Sequence, residues 1–203
     1  MTTRPRPKDS PEVQFSKTLS YILRHGAAKE GIPIRSDGNV LVTDLIKYKK
    51  FRGKKLEDFQ LAVASNDKQR YAMTNENGVW LIRANQGHSI KVAVELEEIK
   101  DPAELPIVVH GTYHRAWSTI ERDGLKKMNR NHVHFAVGKP GESGVISGMR
   151  SSSQVLIYIN VPLAMSEGIK FYRSANNVIL SEGINGVIHP KYFAEIEVKQ
   201  PVQ

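Results

Sequence analysis

The chain has 203 residues, 40% hydrophobic and 25% charged, a composition typical of a globular protein and a length that allows a sizeable core. It contains no cysteine, which excludes disulfides, thiolate catalysis and cysteine-ligated zinc or iron–sulfur centres. Its net charge of +8 points to a polyanionic partner, with nucleic acid the first candidate. The excess is uneven. Residues 1–100 hold 18 Lys and Arg against 12 Asp and Glu, and residues 101–203 hold 11 against 9, so the N-terminal half is expected to face RNA.

Residues 1–11 are polar and proline-bearing, and read as a flexible leader without the apolar core of a secretory signal. Phe15, Leu19, Ile22 and Leu23 recur at helical spacing, which predicts an amphipathic helix over 12–25 stopped at Gly26. Residues 41–48 and 55–65 read as short helices flanking a basic loop from Lys49 to Lys55. Tyr71–Thr74 and Val79–Ala84 read as a hairpin around Asn75-Glu76-Asn77-Gly78. Short helices followed by a hairpin suggest a winged-helix lobe over 12–94. The acidic, proline-punctuated stretch 95–106 reads as a linker. Beyond it, Ile107–Val109, Val133–Val137, Val155–Asn160, Val178–Leu180 and Gly186–His189 read as strands, and Tyr113–Leu125 as a helix ending near Gly124. The expected class is α+β, with a second lobe over 107–203 built on a mixed or antiparallel sheet. No apolar run approaches the roughly 20 residues needed to cross a bilayer, so an intracellular protein without a membrane partner is expected.

Several residue groups could carry chemistry. Arg24 and His25 close the first helix, where basic side chains can also serve simply as a cap. Arg83 shares a strand face with Leu81, which aims its guanidinium at a cleft or a partner, or else leaves it as an exposed wing residue. His110-Gly111-Thr112 ends a strand just before a helix, where a glycine permits close backbone approach and the helix N-terminus favours anions. His132 and His134 point the same way along an extended segment. No third ligand is spaced to complete a metal site with them, so they are expected to meet ribose or phosphate. Ser147-Gly148-Met149-Arg150-Ser151-Ser152-Ser153 is small and polar with one arginine, and could crowd a phosphate or could be a plain surface loop. The chain has neither a P-loop nor a Rossmann fingerprint.

In combination these segments resemble the RNA 2′-phosphotransferase family, the last enzyme of tRNA splicing in eukaryotes. The resemblance runs from about Phe15 to Phe193. It is carried by Ser16-Lys17-x-Leu19-Ser20-x-x-Leu23-Arg24-His25, Ile82-Arg83-Ala84-x-Gln86-Gly87-His88-Ser89, His110-Gly111-Thr112, Arg130-Asn131-His132-Val133-His134, Gly144–Arg150 and Arg173-Ser174-Ala175-Asn176. Gly141–Arg150 and Lys191-Tyr192-Phe193 look closer to eukaryotic than to bacterial members.

The resemblance implies a winged-helix lobe joined to an ADP-ribosyltransferase-like lobe with the site between them. It implies a catalytic set of Arg24, His25, Arg83 and Arg150, and an NAD side formed by His110, Gly111, Thr112, His132, His134, Ser147 and Gly148. The implied reaction uses NAD as co-substrate and no metal. The RNA 2′-phosphate displaces nicotinamide, and a ribose hydroxyl then attacks phosphorus, leaving RNA with a free 2′-OH and ADP-ribose 1″,2″-cyclic phosphate. The expected partner is 2′-phosphorylated RNA, with spliced tRNA first, and the expected state is a monomer. Two other readings compete. One is an ADP-ribosyltransferase that caps nucleic-acid phosphate ends and stops after the first step. The other is a non-catalytic winged-helix nucleic-acid binder.

Overall fold

The computed structural model describes residues 9–139, 149–150 and 152–199. Ser147 and Gly148, and most of the expected leader, lie outside these. Helix α1 (Pro11–Tyr21) starts at Pro11 because Ser10 caps it, accepting from the Val13 amide, and proline suits the first turn. It does not continue regularly to residue 25. Ile22–Gly26 is a π-helical turn, closed by the Ala27 amide on the Ile22 carbonyl at 3.0 Å. Gly26 is required there, since a Cβ would stand 2.5 Å from Cε1 of Tyr21. This turn carries Arg24 and His25.

Strand β1 (Val40–Leu41), α2 (Val42–Lys47), α3 (Leu56–Ala64), β2 (Tyr71–Glu76) and β3 (Val79–Ala84) complete the N-terminal half. The strands form an antiparallel sheet in the order β1-β3-β2. The hairpin strands extend further than expected. Glu76 pairs with Val79, and the turn shrinks to Asn77-Gly78, both at positive φ (53° and 88°), as a tight right-twisting hairpin demands. Leu19, Leu23, Leu45, Phe51, Phe59 and Ile82 form a fully buried core beneath the helices.

The C-terminal half comprises β4 (Leu96–Ile99), β5 (Val109–Thr112), α4 (His114–Asp123), β6 (Leu125–Lys126), β7 (Val133–Phe135), β8 (Val155–Ile159), α5 (Val161–Ser166), β9 (Phe171–Ser174), β10 (Ile179–Ser181), β11 (Val187–Ile188) and β12 (Phe193–Val198). They form small antiparallel sheets ordered β4-β9-β10-β7, β12-β8-β5 and β11-β6. A bridge from Val109 to Ala136 couples β5 to the end of β7. The whole is a mixed α/β protein. A second core, including Phe135, Ile157, Phe171, Ile179 and Tyr192, lies between these sheets, with Trp117 and Ile120 of α4 packed against it.

Two readings change. The stretch expected as a linker contains β4, which pairs with β9 along the edge of a sheet because Ile99 has an apolar core to enter. His110-Gly111-Thr112 does end a strand just before a helix, but that strand, β5, begins at Val109 rather than at Ile107. Thr112 pairs with Val155, and α4 begins after Tyr113, its His114 amide donating to the Gln154 side chain at 3.2 Å. Helix α4 does stop at Gly124, at φ 87°. Helix α5, β9 and β12 were not foreseen.

Candidate active site

The two halves meet at a pair of cavities that share a wall. The smaller, about 290 Å³, is lined from the N-terminal half by Arg24, Lys68, Arg70 and Gln86. From the C-terminal half it takes His110, Gly111, Thr112, Tyr113, Arg130, His134, Met149, Arg150, Ser153 and Asn176, with Val109, Phe135, Ala136 and Val178 supplying apolar surface. Among the described residues its lining holds arginines and a lysine but no carboxylate. The larger, about 830 Å³, is lined by His25, Ser89, His132, Lys126, Lys127, Met128, Asn129 and the apolar flank of α4 and β6. His110, Arg130 and His134 belong to both.

Arg24 is the most unusual group. Its Nε and Nη2 are buried and have no hydrogen-bond partner. Burial pushes its pKa down to about 10, opposed by Tyr71 and reinforced by Arg70 and Arg130. A guanidinium in this state is costly to the fold, and an anion would satisfy it. Gly87, at φ 88°, packs against this side chain: a Cβ there would lie 3.5 Å from the guanidinium carbon. The Ser89 amide donates to the Arg24 carbonyl at 3.0 Å. The Gln86-Gly87-His88-Ser89 turn therefore forms the back of the Arg24 slot. Ser89 Oγ also meets His25 Nδ1 at 2.9 Å. Burial first, then Arg24 and Arg130, hold His25 below the usual histidine range, which keeps it neutral and able to take a proton at neutral pH.

On the opposite wall His110 Nδ1 lies 2.8 Å from the His134 carbonyl. A carbonyl only accepts, so Nδ1 carries the proton and Nε2 is left with its lone pair. His134 Nε2 is buried without a partner, and burial, then Arg130, His132, Arg24 and His110, push its pKa down to about 3. A Cβ on Gly111 would stand 2.2 Å from Met149 Sδ and 2.7 Å from Ser153 Oγ, so this strand is glycine-bare where it faces the cavity. Arg150 Nη1 donates to Tyr113 Oη at 3.4 Å, and Ser152 Oγ lies 3.1 Å from the same oxygen.

Lys68 and Arg70, which stand in the loop before β2, join the site without any local sequence signal. In the sequence they look like ordinary charges in a polar loop. Gln69 between them adopts a positive φ of 42°, and Asn85 fixes its carbonyl with a 2.6 Å hydrogen bond. Arg70 is braced by Asn66, whose Oδ1 accepts from its amide at 3.1 Å and from Nη1 at 3.3 Å. Asn176, buried in the C-terminal half, donates to the Lys68 carbonyl at 3.0 Å, and Lys68 Nζ donates to the Met149 carbonyl at 3.3 Å. A second tether runs from the Asn131 amide to the His88 carbonyl at 3.0 Å and from its side chain to Ile90. Among the described residues no group of three or more His, Asp or Glu is placed to hold a metal ion.

The model of the RNA 2'-phosphotransferase, Tpt1 / KptA family matches residues 10–183. The chain belongs to this family. It is 46% identical over 203 residues to tRNA 2'-phosphotransferase 1 of Danio rerio, covering 97% of this chain and 90% of that protein. It is also 46% identical to the Homo sapiens protein of the same name, covering 98% and 81%. A putative tRNA 2'-phosphotransferase of Schizosaccharomyces pombe is 46% identical over 197 residues, but the chain spans only 54% of that protein's length.

Of the residues expected from the resemblance to this family, Arg24, Arg150, His110, Gly111, Thr112 and His134 line the smaller cavity. His25 and His132 line the larger one, and His132 Nε2 faces Glu182 at 4.0 Å. Arg83 lines neither. Its Nη2 lies 3.6 Å from Glu95, and a fifth of its side chain is exposed. Among the described residues no helix is long and apolar enough to cross a membrane.

Proposed function

We propose that this family member transfers the 2′-phosphate of spliced tRNA to the ADP-ribose part of NAD, releasing nicotinamide, as the final step of tRNA splicing. The observation that carries this reading is the buried guanidinium of Arg24, its Nε and Nη2 without partners, in a cavity whose described lining is rich in cations and holds no carboxylate. A dianionic phosphate brought beside a pyrophosphate needs several fixed positive charges to offset the repulsion, and Arg24, Lys68, Arg70, Arg130 and Arg150 converge here from both halves. Arg70 joins this set from the loop before β2, and the assignment of Arg83 to the catalytic set rests on the resemblance alone.

The NAD side of the site is His110, Gly111, Thr112 and His134, with the larger cavity taking the adenosine half. Its apolar flank and 830 Å³ volume suit a base and ribose. In the first step a phosphate oxygen forms a bond to the ribose carbon that bears nicotinamide. The C–N bond breaks, and nicotinamide leaves neutral, with no proton required. In the second step the adjacent ribose hydroxyl bonds to phosphorus and the bond to the RNA 2′-oxygen breaks. One proton passes from that hydroxyl to the RNA oxygen. His25, neutral and oriented by Ser89, is the group we assign to carry it. We read residues 12–94 as a winged-helix lobe and 107–203 as an ADP-ribosyltransferase-like lobe.

The test is incubation with NAD and a 2′-phosphorylated oligonucleotide. Equimolar nicotinamide and 2′-OH RNA are expected. A stable ADP-ribosylated RNA as the end product would instead make the protein an end-capping transferase.

A further inference from the structure

Residues 49–55, Lys-Lys-Phe-Arg-Gly-Lys-Lys, carry five positive charges, close to the whole excess of the N-terminal half. The segment is a built turn rather than a loose run. Phe51 is fully buried and meets the rings of Phe15, Tyr48 and Phe59 edge-on at centroid distances of 5.2, 6.0 and 5.4 Å. Its amide donates to the Tyr48 carbonyl at 2.8 Å, and the Lys54 amide donates to the Phe51 carbonyl at 2.9 Å. Gly53 turns the chain at φ 80° with open space around it. Lys49, Lys50, Arg52 and Lys55 are exposed. Among the described residues only Lys54 of this turn has an ion pair, with Asp58 at 3.2 Å. Glu30, which feels the charge of Lys49 and Lys50, is itself engaged by the hydroxyls of Tyr48 and Tyr21.

The turn is continuous with the active site. His25 borders the larger cavity. Its neighbour Gly26 lies directly against the Tyr21 ring, and Lys50 Nζ lies 5.7 Å from the centroid of that ring. Further back along α1, Lys54 Nζ lies over Phe15 at 5.2 Å. Helical rise puts Phe15 about 14 Å and Tyr21 about 5 Å along the axis from Arg24. That span matches a few nucleotides of extended RNA.

We infer that the Lys49–Lys55 turn is a docking surface for the RNA backbone a few nucleotides away from the 2′-phosphate. It acts on long substrates and does not reach short ones. The inference rests on the proposed RNA activity. The physical basis is that four exposed cations on a built turn, none in an ion pair among the described residues, bind phosphates with little ordering cost and release counterions, a term independent of base sequence.

The test is the full chain with Lys49, Lys50, Arg52 and Lys55 all changed to Gln. Lys54 is kept, because its pair with Asp58 and its contact with Phe15 serve the fold. Two 2′-phosphorylated substrates are compared, a trinucleotide and a tRNA-length RNA, with dissociation constants measured by fluorescence anisotropy between 50 and 200 mM salt and turnover measured alongside. If all four cations meet phosphates, each adds about 0.7 to the single-strand salt slope, so the long RNA loses roughly 50-fold more affinity for the wild type than for the variant across that salt range. Trinucleotide kcat/KM should change less than twofold. Equal loss on both substrates would overturn the inference, because the turn would then serve the cleft or the fold. So would unchanged binding of the long RNA, which would leave the charge to a protein or another polyanion. Failure of the wild type to turn over either RNA would refute the proposed function itself, while the binding comparison would still read the docking surface.

Discussion

Arg70 and Arg83 are both arginines at or near β2 and β3, but the structure puts only Arg70 against the cavity, and this difference can be measured. Arg70 is held by Asn66 and stands with Lys68 and Arg150; burial first, then Arg70 and Arg150, hold the Lys68 ammonium below its usual range. Removing one preorganised charged donor from such a site typically costs about 3 kcal/mol, a hundredfold or more in rate. Arg83 has as its visible partner Glu95, at 3.6 Å and with 88% of that side chain exposed. An ion pair whose carboxylate stands this far in solvent is worth about 0–1 kcal/mol, a factor of at most about five. Arg70→Gln should therefore lower single-turnover transfer to NAD at least about a hundredfold, and Arg83→Gln less than about fivefold. The assay follows nicotinamide and dephosphorylated oligonucleotide, with thermal melts to show that both variants are folded. The reasoning fails if the folded Arg83 variant is as impaired as the Arg70 variant, or if Arg70→Gln retains a third or more of the wild-type rate.

Arg24→Met should abolish transfer yet raise Tm by about 2–8 °C, because it removes buried donors that lack partners, and each unsatisfied group costs about 1–3 kcal/mol; a lower Tm in differential scanning calorimetry would contradict this. His88 and His134 have pKa values pushed from 6.5 down to about 4 and about 3, chiefly by burial. In the unfolded chain both regain ordinary values, so the unfolded state binds more protons between pH 6.5 and 4, and stability is lost as pH falls through that window. Each histidine contributes up to about 1.4 kcal/mol per pH unit, and His88→Gln should flatten the profile measured by urea titration at pH 7 and pH 5. Asn176→Ala leaves the Lys68 carbonyl without its 3.0 Å partner and should lower kcat about tenfold, with a smaller change in the NAD KM. An NAD KM that rises as kcat holds would place Asn176 on the NAD side instead.

Much of the site was legible from residue types in order along the chain. The Arg24-His25 pair, the His110-Gly111-Thr112 strand, His134 and Arg150 were readable because local signals mark them: a helix terminus, a glycine in a strand, a histidine on an extended segment, an arginine in a small polar loop. The two main helical periodicities, the hairpin and the stop at Gly124 follow from side-chain spacing and from glycine's access to positive φ, which are properties of neighbouring residues. Other features depend on groups far apart in sequence. Strand β4 looked like a linker because its pairing partner β9 lies more than seventy residues downstream. Lys68 and Arg70 face the cavity because Asn66, Asn85 and Asn176 hold their loop, the last from the other half of the molecule. Arg83 carries a motif, but its side chain ends beside Glu95, outside the cavity. The sequence determined which residue types the chemistry has available and where helices and turns begin. Only tertiary packing decided which charges converge, because converging charges are set by long-range contacts that no local pattern records.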